Sequence, residues 1–298
     1  MAAFPRHVAA ALFNSPLALL PAAAPLTLQL LERSIGAMRA DGGAATDLAA
    51  GDEWGSGSGG KRSSRDVDKP YDVIAGVAVI PVRGLLIQRL GWLWYYGDLF
   101  GVSGYDRIRA MVMAALADPD VDAIVFDIDS PGGEVAGCFD LVDTIYAARG
   151  IKPIAAILGE SAFSAAYAIA SAVDPGRLWV PRTGGTGSAG VIYQHLSVAK
   201  WLANNGILPT LVTKGAFKGE GSELFDLSKG ALERLQADVD EVGDLFDETV
   251  ARNRGMAVRK VTATQAGTFL GGKGVDIGFA DAVAAPDAAF RALLKQLD

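Results

Sequence analysis

The 298 residues include one cysteine, Cys138, and two histidines. A lone thiol cannot close an intramolecular disulfide, and so few sulfur and imidazole ligands leave little material for a metal site. We therefore expect a cytoplasmic, metal-free protein. Basic residues are also scarce: 27 Lys and Arg stand against 34 Asp and Glu, for a net charge of −7. Nucleic acid is not an expected partner, because gripping a phosphate backbone needs a basic face. No Walker-type GxxxxGK[ST] sequence occurs, so no coupled ATP chemistry is expected. A long uninterrupted apolar run is missing too. The stretch from Arg6 to Glu32 carries no charge between its ends, but Asn14, Pro16, Pro21 and Pro25 break it. Membrane insertion is not expected, since a spanning helix tolerates few such interruptions.

Apolar residues are plentiful: half of the chain is hydrophobic, enough to bury a large core. Residues 51–69, GDEWGSGSGGKRSSRDVDK, are Gly/Ser-rich and then charged, the composition of a flexible linker. Residues 1–65 therefore read as an N-terminal extension with linker, and residues 66–298 as one domain. In that domain, strand patterns over Tyr71–Val82, Val121–Asp129, Pro153–Leu158 and Arg177–Pro181 alternate with helical patterns. The helices fall over Tyr105–Ala117, Glu134–Arg149 and from about Ser164 to Val173. Such alternation implies an α/β fold with a largely parallel sheet and helices on both faces. Leu232, Leu235, Val239, Val242, Phe246 and Val250 mark the apolar face of a long later helix, open to its own domain and to a neighbouring subunit. The end reads as a last strand near 278–281 and a short helix over 287–297.

Several residues carry candidate chemistry. Ser130-Pro131-Gly132-Gly133 lies between a buried strand and an expected helix start. Glycines there allow unusual backbone angles, and free N–H groups at a helix start can receive an anion, as an oxyanion hole requires. Ser164, in SAFSAAY, opens the next small-residue helix, and parallel neighbouring strands would bring both segments to one sheet edge. A serine hydroxyl needs a base to become a nucleophile, and His195 and Lys218 are the candidates. A lysine serves only where an enclosed site lowers its pKa from about 10.4 toward neutrality. Lys218 sits in the glycine-rich GAFKGEGS. Asp127 and Asp129 are read as loop-fixing hydrogen-bond acceptors, Cys138 as a packed thiol. The aromatic run Trp92, Trp94, Tyr95, Tyr96 and Phe100 is read as core packing, with a substrate lip or subunit contact as the alternative.

SPGG, SAFSAAYAIASA, TGSAGV beginning at Thr186, and GAFKGEGS together resemble, in order and approximate spacing over roughly residues 70–285, the signal peptide peptidase A family. That resemblance implies a Clp/crotonase-like fold and a serine peptidase with a Ser-Lys dyad and no cofactor. It implies Ser164 as nucleophile, Lys218 as base and Ser188 as the residue that orients the lysine. Gly133 and the N–H of Ala165 become the expected oxyanion donors, with Gly132 shaping the turn. The sequence departs from the family's pattern where Ala165 and Ala166 stand for glycines and Ala189 for a larger residue. The N-terminal ALFNSPL resembles the phage capsid assembly protease branch. It implies head or scaffold proteins as substrates, a homo-oligomer, and a place in the host cytoplasm or procapsid. Such proteases often carry a scaffold-like C-terminal extension; with the sequence ending at Asp298, any scaffold is expected to be encoded separately. Alternatives are a bacterial peptidase of signal peptides or membrane-protein fragments, a crotonase-like acyl-CoA enzyme, and a non-catalytic head-assembly module.

Overall fold

The computed structural model describes residues 16–19, 69–90 and 101–297. The linker (save Lys69), the aromatic run and nearly all of residues 1–65 lie outside the described residues. Three long strands form the centre: β3 (Val77–Ile87), β5 (Ala123–Glu134) and β6 (Ile154–Phe163). Their opening stretches are apolar on both faces, as a doubly covered parallel sheet demands, while Arg83, Asp127, Asp129 and Glu160 stand farther along them. Strand β3 pairs in parallel with β5, Ile80 opposite Phe126, and β5 in parallel with β6, Phe126 opposite Ala156.

Shorter strands complete the sheet. β2 (Asp72–Ile74) and β4 (Val102–Gly104) pair with β3. β7 (Leu178–Val180) and β8 (Gly185–Gly187) pair in succession with β6. β10 (Thr268–Leu270) pairs with β8, and β11 (Ala282–Val283) with β7. Two strands stand at the other end of the path: β1 (Pro16–Leu19) pairs antiparallel with the end of β5 and with β9 (Ile192–Tyr193). Residues 16–19, from the N-terminal side of the expected linker, thus lie in the main sheet.

Helices cover both faces. On one lie α1 (Tyr105–Ala117), α2 (Cys138–Ala147) and α3 (Ala165–Ser171). Helix α1 occupies the residues its pattern predicts and buries Ile108, Met111, Val112 and Ala115. Helix α2 starts at Cys138 instead of Glu134, because β5 stays extended through Glu134 while paired with β3 and β1. The opposite face is covered near the chain's end by a helix over Pro286–Leu297, whose Ala289 and Leu293 are wholly buried among Val125, Ile157 and Trp179. The expected α/β fold, a largely parallel sheet with flanking helices, is what the chain forms.

After β9 the chain leaves the core. Residues 194–228 form an arm with one short helix, α4 (Ala199–Asn204), that buries no residue. The chain returns through α5 (Lys229–Arg254), which begins where the Ser228 hydroxyl accepts from the Ala231 N–H at 3.1 Å, satisfying one of the orphan donors of a helix start. Its apolar face is split: Phe246 and Val250 are buried, whereas Leu232 is exposed. Beyond α5, α6 (Val258–Thr262) and α7 (Gly272–Asp276) lead to the Pro286–Leu297 helix, α8. A part-buried ion pair, Arg254 to Asp281 at 2.7 Å, fastens the end of α5 to the chain before β11.

A chain beginning at Asp66 is expected to retain one cooperative thermal transition. It loses Leu17 and Ala18, both wholly buried, which costs about 2–3 kcal/mol of apolar burial and lowers the melting temperature by about 5–10 °C. A flat near-ultraviolet circular dichroism spectrum would instead mean that the N-terminal segment is needed to order the core.

Candidate active site

Three motifs meet because three strands end side by side. Ser130 is opposite Ala162 across β5 and β6, and Ala162 and Phe163 are opposite Thr186 and Gly187 across β6 and β8. The next residues of the two neighbours are therefore Ser164 and Ser188, adjacent at the carboxyl edge. Both have positive φ, 54° and 53°, a region that L side chains occupy at a cost and that recurs at functional sites. At Ser164 the backbone (φ 54°, ψ −121°) turns sharply from β6 into α3, presenting the side chain at the bend as strand-to-helix nucleophile turns do. The turn is held by the Ser164 N–H donating to Gly187 O at 2.8 Å and the Ala168 N–H donating to Ser164 O at 2.9 Å.

The surroundings of Ser164 suit a developing oxyanion. Its Oγ is nearly buried and has Gly190 O at 3.4 Å. The N–H of Ala165, first in α3, has no acceptor within its own helix. Gly132 has φ 101°, and a β-carbon there would overlap the Ala18 carbonyl oxygen and stand 3.0 Å from both Phe163 O and Ser164 Cβ. At Gly133 a β-carbon would overlap Leu86 O. Only glycine fits either place. The turn is fixed from below by the Ser130 hydroxyl, which accepts from the Gly132 N–H at 3.1 Å and donates to Gly84 O at 2.7 Å. Sequence reasoning placed SPGG in a loop at a helix start; it is instead the end of a strand, and its donors are backbone groups of the sheet.

Lys218 stands apart. It is exposed, in a turn of the arm, and among the described residues its amine makes no hydrogen bond or ion pair; its N–H donates to Gly215 O at 3.3 Å. Flanking residues are anchored: Arg234 pairs with Glu220 and lies 4.0 Å from the Phe217 ring centroid. His195 is also in the arm, its Nε2 3.3 Å from Phe225 O and its Nδ1 buried without a partner. No hydrogen bond joins either candidate base to Ser164.

Other candidates have structural roles. Asp127 pairs with Arg83, and Asp129 accepts from the Ser161 N–H at 3.2 Å. Cys138 is wholly buried beneath α3, and burial pushes its thiol up to about 12. Among the described residues no group of three or more His, Cys, Asp or Glu could hold a metal ion, and no helix is long and apolar enough to cross a membrane. What sequence reasoning missed is the pairing of β1 with the glycine segment. Its only local signal is a short apolar run, LALL, between Pro16 and Pro21.

The model of peptidase family S49 matches residues 147–298, about half of the chain. The chain belongs to peptidase family S49. The S49 match takes in Ser164, Ser188 and Lys218 and begins after the glycine segment. The chain is 39% identical over 282 residues to the head-tail preconnector protein GP5 of Enterobacteria phage P21, covering 92% of this chain and 54% of that protein. It is 34% identical over 281 residues to the capsid assembly protease C of Escherichia phage lambda, covering 92% of this chain and 62% of that protein. The S49 chain thus spans less than two thirds of the length of these relatives. Among solved structures, a point mutant of ClpP1 from Listeria monocytogenes superposes with a TM-score of 0.43 at 11% identity, over 71% of this chain and 93% of that one.

Glycine at position 164 relieves the positive φ that serine bears. Ser164→Gly is expected to be more stable than Ser164→Ala by about 1 kcal/mol in urea unfolding. Equal or lower stability of the glycine variant would show that the bend is unstrained.

Proposed function

We propose that this S49 chain is an ATP-independent serine endopeptidase that processes phage or prophage head or scaffold proteins, with Ser164 as nucleophile and Lys218 as general base. The carrying observation is the strained bend at Ser164, set beside a segment where only glycine fits and at the first free N–H of a helix. In this reading Ser164 Oγ attacks the peptide carbonyl while its proton passes to the neutral Lys218 amine. The N–H groups of Gly133 and Ala165 receive the negative oxygen of the tetrahedral intermediate. Collapse breaks the C–N bond, the protonated lysine returns its proton to the leaving amine, and an acyl ester remains on Ser164. Water, activated by the neutral lysine, then releases the second product. Ser188, beside Ser164, orients the amine. An acyl-CoA enzyme of the crotonase type would use similar oxyanion donors but would have no need of a serine at this bend. The similarity to GP5 and capsid assembly protease C supports head or scaffold proteins as substrates and, for a phage-encoded chain, the host cytoplasm or procapsid as the place of action.

The exposed Lys218 must be enclosed before it acts as a base. The arm around it exposes Trp201, Leu208, Val212 and Phe217, with Val212 90% accessible, and so many large exposed apolar side chains on one short segment mark an interaction surface. Packing of this arm against a second copy would cover these side chains and bring the lysine into an apolar setting. Static light scattering is expected to report a homo-oligomer. Leu208→Asp with Val212→Asp is expected to yield monomers that have lost nearly all peptide cleavage. Fully active monomers would rule out assembly as the source of the enclosure.

Ser164→Ala and Lys218→Ala are each expected to reduce peptide cleavage by a factor of about 10³ or more, because nucleophile and base act as one unit. Lys218→Arg is expected to fail as badly, since a guanidinium does not give up its proton. Ser188→Ala is expected to lose an intermediate amount, and His195→Ala little. Near-normal cleavage by a folded Lys218→Ala alongside an inactive His195→Ala would put a histidine in the role of base.

A further inference from the structure

Strand β6 leaves the ladder at Ser164, so the edge of β5 beyond Ser130 loses its neighbour on that side. Strand β1 takes the vacated place. Leu17 is opposite Glu134, Ala18 opposite Gly133 and Leu19 opposite Gly132, while the other edge of β1 pairs with β9, Pro16 opposite Tyr193. The strand is thus clamped between the glycine segment and β9, antiparallel to both, as an extended peptide is held by strand addition. Its register is set by the Val135 N–H donating to Pro16 O at 3.4 Å. Bonded pairs alternate along an antiparallel ladder, so the next bonded pair is Ala18 with Gly133. The Gly133 N–H then faces the Ala18 carbonyl. The space over Gly132 is crowded by that same carbonyl oxygen and by Ser164 Cβ.

We infer that β1 occupies the peptide cleft as the acyl half of a substrate does, with Ala18 at the residue before the scissile bond. This rests on the reading of Ser164 as nucleophile and adds two things to it. The first is specificity: Leu17 is 1% and Ala18 0% exposed, so the cleft takes an extended apolar segment with a small residue at the carbonyl that is attacked. The second is control. A substrate chain cannot reach Ser164 until residues 16–19 are displaced, so the N-terminal strand is a competitive inhibitor carried on the same chain. A tethered occupant that keeps the cleft closed in about nine molecules of ten slows any reagent about tenfold.

The test follows Ser164 labelling by a fluorophosphonate probe in the full-length protein, with Ser164→Ala as the blank. Ala18→Arg, which cannot be buried in the strand's place, is expected to label about tenfold faster than the unaltered chain. The free peptide Asn-Ser-Pro-Leu-Ala-Leu is expected to slow that variant again, and the same peptide with arginine for its alanine to leave it fast. If Ala18→Arg does not fold, Leu17→Ser, which only weakens the strand's burial, is expected to show the same acceleration to a smaller degree. Equal labelling of the unaltered chain and a folded β1 variant, with no effect of the peptide, overturns the inference and leaves Ser164 a reactive serine. Labelling of no form above the Ser164→Ala blank removes the serine-hydrolase reading, and the inference with it.

Discussion

Strand β6 ends at Ser164 because φ 54° and ψ −121° carry the chain out of the sheet plane and into α3. The rest of the site depends on that turn. It frees the edge of β5 at Gly132–Glu134, sets the first N–H groups of a helix beside the serine, and leaves Ser188 of the next strand alongside. Serine is a costly residue for such a backbone, by about 1–3 kcal/mol. The surrounding structure offsets the cost: α3 is buried at every residue, and Tyr167 within it stacks on Phe279 with ring centroids 4.7 Å apart. A small-residue helix allows that close seating, since alanines at 165, 166, 168 and 170 bring α3 hard against β5.

The body of the molecule and the arm are built on different terms. In the body, central strands are covered on both faces and charged groups are paired where they are enclosed, as Arg254 is with Asp281. The arm over residues 194–228 presents large apolar side chains to solvent and buries none in its helix α4. The proposed base sits on the arm and the proposed nucleophile in the body. In the proposed mechanism peptide cleavage then needs two separate events, arrival of the amine and departure of β1.

Much of this was legible in the sequence, for local reasons. Helix α1 falls on the residues its apolar spacing marks, and SPGG, SAFSAAY and TGSAG come together because consecutive parallel strands end at one edge. What was not legible depended on pairing between distant segments. Glu134 looks like the start of a helix, and it is kept extended by Leu17 of β1 opposite it and by the pairing of the preceding Gly133 with β3. Pro16–Leu19 has no local feature that names Gly132–Glu134 as its partner. The face from Leu232 to Val250 reads as one apolar stripe, yet Phe246 and Val250 are buried while Leu232 is exposed, because periodicity does not say where the supporting body ends. For Lys218 the glycine-rich flanks announce a turn but not its exposure.

The most direct measurement of the central claim is to trap the acyl intermediate. A p-nitrophenyl ester of a blocked Leu-Ala dipeptide is mixed with the protein, quenched in acid at short times, and the acylated peptide is located by mass spectrometry. The acyl group is expected on Ser164, in proportion to the burst of nitrophenol released. An acyl group on Ser188, or turnover of the ester by folded protein with no acylated serine, would contradict it.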